Sequence, residues 1–284
     1  MAKDRCYEQH DLDKIHKVLH DELKELQRIC DKHDIPMFLI GGTAIGAVRH
    51  KGFIPWDDDI DVGLLRKDYD RLLEILPDEL DEKFGFDNWD TNKDFPAPNT
   101  CIYAKGTLAV PMEMKDCKYK YGISMGVYPY DNVSDNEAER KKQFRRGFFW
   151  GRIHWLKVLP FPYIPYKGFK RAAIYTVCAV AHVCLKLVPK KWIVARCENV
   201  IRSCNDKDTK YCTIVLDSSP TGNMLENADI FPLCNADFEG TTTKLIAGYD
   251  KALRNLYGDY MQLPPEDNRK NHFPHTLDYG DYEF

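Results

Sequence analysis

Ten cysteines are present in the 284-residue chain, yet none forms a Cys-x-x-Cys pair, so the usual structural zinc module is excluded. They are scattered (Cys6, Cys30, Cys101, Cys117, Cys178, Cys184, Cys197, Cys204, Cys212, Cys234), which does not read as a disulfide framework. Packed thiols in a reducing setting are the expectation. Positive charge is also lacking: the formal net charge is -4 and the pI near 6.1, which argues against nucleic acid as a partner. Internal repeats and low-complexity tracts are absent. Met1 to Glu8 is polar and does not read as a signal peptide, so a cytoplasmic protein is expected.

No apolar run reaches the roughly 20 residues that span a bilayer. The longest, Ile174 to Val188, is interrupted by His182 and Lys186 and reads as a buried helix. The alternative is a helix lying in a membrane surface, with peripheral contact at the inner face. Phe148-Phe149-Trp150, Trp155 and residues 161–166 precede the run and mix aromatics with Arg145, Arg146, Arg152, Lys157, Lys167, Lys170 and Arg171.

What is there suffices for a core: 44% of residues are hydrophobic and 30% charged. Leu12, Ile15, Leu19, Leu23, Leu26 and Cys30 recur at three- and four-residue intervals and predict a helix over Asp11 to Cys30. Met37 to Ile40 predicts a strand, Gly41-Gly42 a turn, and Thr43 the cap of a helix to about Arg49. A second strand is expected over Asp59 to Leu64 and a helix over Arg66 to Leu76, ending at Pro77. Cys101 to Val110 and Tyr121 to Tyr130 read as strands, Glu137 to Phe149 and Leu245 to Tyr257 as helices. Asp217 to Asp237 is turn-rich. The sum is α/β (α+β): a mixed sheet core with flanking helices, within one domain spanning 1–284. Its core covers about 11–133, a helical and aromatic segment about 134–216, and a C-terminal part about 217–284.

One segment carries the chemistry. Gly41 to Val62 joins a glycine turn, the basic triplet Arg49-His50-Lys51, and the carboxylates Asp57, Asp58, Asp59 and Asp61. Carboxylates this close repel, and at least one must hold its proton unless something positive sits among them. On a strand Asp57, Asp59 and Asp61 would share a face, with Ile60 and Val62 turned to the core. A hard cation such as Mg²⁺ (or Mn²⁺) takes oxygen ligands and shares one or two carboxylates with substrate phosphates. Gly41-Gly42 lets backbone approach a phosphate, the helix start offers free N–H groups, and the basic triplet can neutralise charge. An EF-hand alternative, with Asp57, Asp59, Asp61 and Asp68 at its first, third, fifth and twelfth positions, fails because Val62 stands where the loop needs glycine.

The run from Gly42 to Asp61 resembles the long motif of the LicD family, whose relatives include the fukutin-type proteins, within the nucleotidyltransferase superfamily. Gly41-Gly42 and Asp59-Ile60-Asp61 match the superfamily signature. The likeness continues at Lys105-Gly106-Thr107, Tyr128 to Val133, Phe238-Glu239-Gly240, and Tyr257 to Met261 with Leu263-Pro264-Pro265 and His272 behind. The resemblance implies a nucleotidyltransferase-like fold. It also implies transfer of a phospho-substituent, phosphocholine or an alditol phosphate, from a CDP-activated donor onto a glycan or lipid-linked glycan acceptor. It places metal ligation on Asp59 and Asp61, and donor contacts on Gly41, Gly42, Arg49 and Lys105; Thr43, His50 and Lys51 are further candidates for holding the donor. Relatives commonly carry an Asp where this chain has Gly126, so Asp131, Asp57 or Asp58 is expected to complete the metal set. Asp57 or Asp58 is expected to accept the acceptor's hydroxyl proton. Alternatives are a nucleotidyltransferase that builds the CDP-activated precursor from CTP, and a non-catalytic nucleotide-binding relative. His272 and His275 read as a surface tail, with phosphate binding or the ordering of a lid as the alternative, and Gly258 reads as the cap of the last helix.

Overall fold

The computed structural model describes residues 7–159, 161, 166–266, 269 and 271–284. Cys6, most of the polar start, residues 162–165 of the aromatic stretch and Lys270 lie outside the described residues. Apolar spacing builds α1 (Gln9–Lys32), which buries Leu12, Ile15, Leu19, Leu23, Leu26 and Cys30. Burying one such Leu or Ile side chain contributes about 1.5–3 kcal/mol. In chain order there follow β1 (Phe38–Leu39), α2 (Gly41–Arg49), β2 (Asp61–Leu65), α3 (Arg66–Glu79), β3 (Phe84–Asp87), β4 (Thr100–Ala104), β5 (Leu108–Val110) and β6 (Ser124–Val133). Then come α4 (Glu137–Val158), α5 (Gly168–Lys186), α6 (Lys190–Ile201), β7 (Tyr211–Thr213), β8 (Leu225–Glu226), β9 (Cys234–Phe238), β10 (Thr241–Leu245), α7 (Tyr249–Tyr257) and β11 (Thr276–Asp278).

Among the described residues helix accounts for 43% and strand for 17%, the mixed α/β class read from the sequence. The main sheet runs β1-β2-β6-β4-β3, with β7 added to β6 and β8 to β7. Only β2 and β6 pair in parallel among the described strands, with Asp61 opposite Gly126. Ile60, Val62, Leu64, Met125 and Val127 are wholly buried around that pairing. The first residues of β2 and the facing part of β6 are therefore held by packing on both sides, and they carry the acidic segment.

Several boundaries differ from the sequence expectation. The second strand starts at Asp61, not Asp59, because Asp57 to Ile60 is irregular chain following a turn in which Asp57 N–H donates to Ile54 O. Strand alternation is thus not what gathers the acids. Thr43 caps nothing: α2 already begins at Gly41, and Thr43 Oγ1 accepts the Asp61 N–H at 2.9 Å, pinning β2 to α2. Helix α3 runs through Pro77, where the missing donor falls in the last turn and costs one hydrogen bond. Gly106, at φ +82°, divides the expected Cys101–Val110 strand into β4 and β5. The Ile174–Val188 run is helical, but α5 buries none of its residues, contrary to the buried helix expected. Nine cysteines are free among the described residues, most of them buried.

Candidate active site

The acids meet where α2, β2 and β6 begin. Gly41 enters α2 at φ +58°, a conformation that favours glycine, and a methyl group there would lie 3.9 Å from Asp61 Oδ2. At Gly42 a Cβ would stand 2.7 Å from Asp57 Oδ2, so the second glycine makes room for that carboxylate. Gly41, Gly42, Thr43, Asp57 and Asp61 are therefore brought together. Across the parallel register, a Cβ at Gly126 would fall 2.5 Å from Asp61 Oδ1 and 2.5 Å from the Tyr128 ring. Gly126 faces the acids, and the Tyr128 ring fills the space a larger side chain would need.

The charge among these acids is resolved unevenly. Asp58 accepts from Tyr7 Oη at 2.7 Å and from the His272 backbone N–H at 3.1 Å, and its Oδ1 lies 3.1 Å from His272 Nδ1. These contacts outweigh its burial and hold the Asp58 carboxyl below the usual range. His272 in turn is raised to about 9, chiefly by its bond to Asp58 and with help from Asp59 and Asp57. The positive group in the cluster is thus an imidazolium from the C-terminal segment, 3.7 Å from Asp59 Oδ2 as well. His272 is a member of the site, not the surface tail expected from sequence.

Burial and the neighbouring acids push Asp57 up to about 8, and the same causes raise Asp61 well above the ordinary range. Asp59 is raised by burial, although a hydrogen bond with Asp57 and the His272 charge oppose the shift. Tyr257, at the end of α7, is pushed up to about 12 by burial and by Asp61, Asp57 and Asp59. A Cβ on Gly41 would sit 3.5 Å from its hydroxyl. Gly258 caps α7 at φ +71°, as expected, and the cap leaves Tyr257 against the acids.

Other expected residues lie elsewhere. Asp131 is 1% exposed and held at both oxygens by Arg66, at 2.8 Å and 2.8 Å, with Asn205 Nδ2 at 2.7 Å. It stands five residues beyond Gly126 on β6, about 17 Å along the strand. Its role as a metal ligand is therefore corrected: its carboxylate neutralises a buried guanidinium. Arg49 ends the nine-residue α2, about 12 Å from its start, and His50 and Lys51 follow it. The Arg49 guanidinium donates to Tyr260 O and to the His50 ring, which ties the chain after α7 to α2. Lys51 is exposed, and its carbonyl accepts Glu239 N–H. Lys105 Nζ donates to Glu82 O at 2.9 Å, about 13 Å along β4 from Cys101, the neighbour of Gly126.

Two cavities flank the cluster. One, of about 290 Å³, is lined by Asp58, Asp59, Asp61, Gly126, Phe95, Tyr121 and His272. The other, of about 280 Å³, is lined by Trp89, Phe148, Arg152, His154, Trp155 and Asp217. They share Ala97, Asn99 and Tyr128. Asp217 is close enough to raise Asp61, Tyr128 and Tyr257 electrostatically. It lies just after β7, in a stretch without a recognisable motif, and no sequence signal marked it.

Three or more metal-competent side chains do not close into one group among the described residues. The arrangement fits a hard divalent cation in a narrower sense. Asp59 and Asp61 offer adjacent carboxylates at a cavity wall, and Mg²⁺ is commonly satisfied by one or two of these with water and substrate phosphate. A closed cage of protein ligands is not what this site offers.

A mixed α/β fold with a glycine turn facing an acidic strand start defines a class, and residues 34–104 match the LicD/FKTN/FKRP nucleotidyltransferase domain. The chain is similar, at 29% identity over 255 residues, to the lipopolysaccharide cholinephosphotransferase LicD of Haemophilus influenzae, covering 86% of this chain and 89% of that protein. Uncharacterised proteins of Rickettsia prowazekii and Rickettsia typhi are 41% and 39% identical over 59 residues, 21% of this chain in each case and 22% and 19% of those proteins.

Proposed function

We propose that the protein transfers phosphocholine from a CDP-activated donor to a hydroxyl of a cell-surface glycan, with lipopolysaccharide as the nearest acceptor type. The observation that carries this reading is the similarity to a lipopolysaccharide cholinephosphotransferase over 86% of the chain. The cavity containing Trp89, Phe148 and Trp155 with Asp217 supports phosphocholine over an alditol phosphate. Aromatic faces and a carboxylate favour a quaternary ammonium, and neither is selective for a neutral polyol.

Asp59 and Asp61 would hold a divalent cation, which when bound supplies positive charge against the donor diphosphate. Gly41 and Gly42 let backbone approach the phosphates. Asp57, raised to about 8, is poised near neutrality to accept the acceptor hydroxyl's proton. Asp58, committed to Tyr7 and His272, positions the loop and leaves the base role to Asp57. The acceptor oxygen forms its bond to the phosphorus bearing choline as the bond to CMP breaks. The two cavities meeting at Tyr128 give donor and acceptor separate approaches to that phosphorus.

Incubating the protein with Mg²⁺ and a series of CDP-linked donors tests this. CMP release from the choline donor supports the reading, whereas release from alditol donors alone would redirect it. Pyrophosphate release from CTP would make the protein a precursor-forming nucleotidyltransferase. Donor binding without turnover would make it the non-catalytic relative that the glycine at Gly126 allows.

A further inference from the structure

Residues 140–197 contain 14 lysines and arginines and not one aspartate or glutamate. The rest of the chain carries 26 basic against 44 acidic residues, so the overall charge of -4 hides a sharp separation. Among the described residues, only Lys141 of these 14 forms an ion pair, with Glu137. The segment takes in α4 from Arg140 on, α5, and α6 as far as Cys197.

Helix α5 is built the wrong way round for a soluble protein. Phe169, Val177, Val180, Val183 and the capping Leu187 recur at three-, four- and eight-residue intervals, and they are 87, 68, 58, 61 and 89% exposed. Its other side leans on α4: His182 Nδ1 lies 2.7 Å from Leu156 O, and Lys157 Nζ donates to Leu185 O. An apolar stripe therefore runs the length of the helix, facing outward, with Lys170, Arg171 and Lys186 exposed near its ends. Phe148 and Phe149 of α4 and Trp192 of α6 add exposed aromatics. By length and composition α5 is long and apolar enough to cross a bilayer, with a mean hydropathy of 1.2. It is packed along α4, however, which keeps it in plane with the domain.

We propose that α4, α5 and the start of α6 form a docking surface for an anionic phospholipid bilayer, with α5 lying in the interface. The apolar stripe would enter the acyl boundary while the cations engage lipid phosphates, the arrangement of interfacial amphipathic helices. Charge complementarity selects this occupant. A second copy of the chain would set two strongly basic faces against each other, and a neutral surface would leave the cations unanswered. The docking face is continuous with the site, since Phe148 and Arg152 line one of the two cavities and are exposed on α4. The bilayer would thus lie beside the mouth of the cavity assigned to the donor's choline.

Flotation of the full chain with vesicles tests this without any turnover, so its outcome is separate from that of the transfer reading. Vesicles of phosphatidylcholine mixed with phosphatidylglycerol should carry the protein up the gradient, phosphatidylcholine alone should not, and high salt should release it. Each cation near an anionic surface is worth about 1 kcal/mol, about fivefold in partition, so Lys170→Gln with Arg171→Gln should weaken binding about 25-fold. Phe169→Ser with Leu187→Ser should weaken it while leaving the salt dependence in place. Both pairs are exposed, and unchanged circular dichroism would confirm folding. Wild-type protein that ignores anionic vesicles, or binds neutral ones equally, would overturn the proposal. So would self-association that these substitutions abolish, because the stripe would then join copies of the chain.

Discussion

His272→Gln removes the one cation found beside the four aspartates among the described residues and keeps a hydrogen-bonding side chain. In the folded protein His272 rises from the usual 6.5 to about 9. At about 1.4 kcal/mol for each pH unit, that difference would be worth about 3 kcal/mol. The imidazole side chain is 73% exposed, however, so solvent screening reduces the stabilisation to about 1 kcal/mol. The folded value lies above the unfolded one. The contribution is therefore complete below pH 6.5, fades between 6.5 and 9, and is gone above that. For a chain of this size 1 kcal/mol corresponds to about 2 °C in Tm. Thermal melts from pH 6 to about 9.5 should show the variant about 2 °C below wild type at the acid end, converging at the alkaline end, with the gap narrowed by salt. A gap that is constant with pH, or that opens towards alkaline pH, would refute the assignment of an imidazolium to this cluster.

Three further outcomes follow from the same geometry. Asp131→Asn should leave the buried Arg66 guanidinium uncompensated and cost about 3–5 kcal/mol in urea unfolding, while the protein that remains folded binds donor normally; a stable variant with lost divalent-cation binding would contradict this. Gly126→Asp should cost about 1–3 kcal/mol by crowding Asp61 and the Tyr128 ring, with part regained on adding Mn²⁺, as read by denaturant titration with and without the metal. With Asp57 raised to about 8, kcat/KM of the wild type should climb through about pH 8 and level off above it. Asp57→Asn should lack that rise and lose about 100-fold in rate; an unchanged profile would remove Asp57 from the base role.

The sequence announced the parts whose partners are close in the chain. Apolar spacing located α1 to within two residues at each end, and the motif from Gly41 to Asp61 fell on a glycine-entered helix facing a strand start, as its likeness implied. What escaped depends on distant partners. Asp131 looked available because its guanidinium partner is 65 residues away, on α3. His272 meets Asp58 across 214 residues, and a histidine in a proline-containing tail carries no local sign of such a contact. Acid and apolar residues alternate from Asp59 to Val62 as they would on a strand. Yet the ladder to β1 begins only around Asp61, so turn geometry and burial, not alternation, gather the carboxylates. The apolar run in α5 was legible as a helix, but which way its stripe faces depends on how α4 packs against it, and periodicity is silent about that.

In the proposed reaction Asp59 and Asp61 form the reacting centre of a transferase using a cytidine-activated donor. The most direct test of that role is CMP release from CDP-choline in the presence of Mg²⁺ and a glycan acceptor, measured for wild type and for the double variant Asp59→Asn with Asp61→Asn. Acceptor-dependent CMP release by the wild type is expected, and its loss in a double variant that still folds. Undiminished release by that variant would contradict that role.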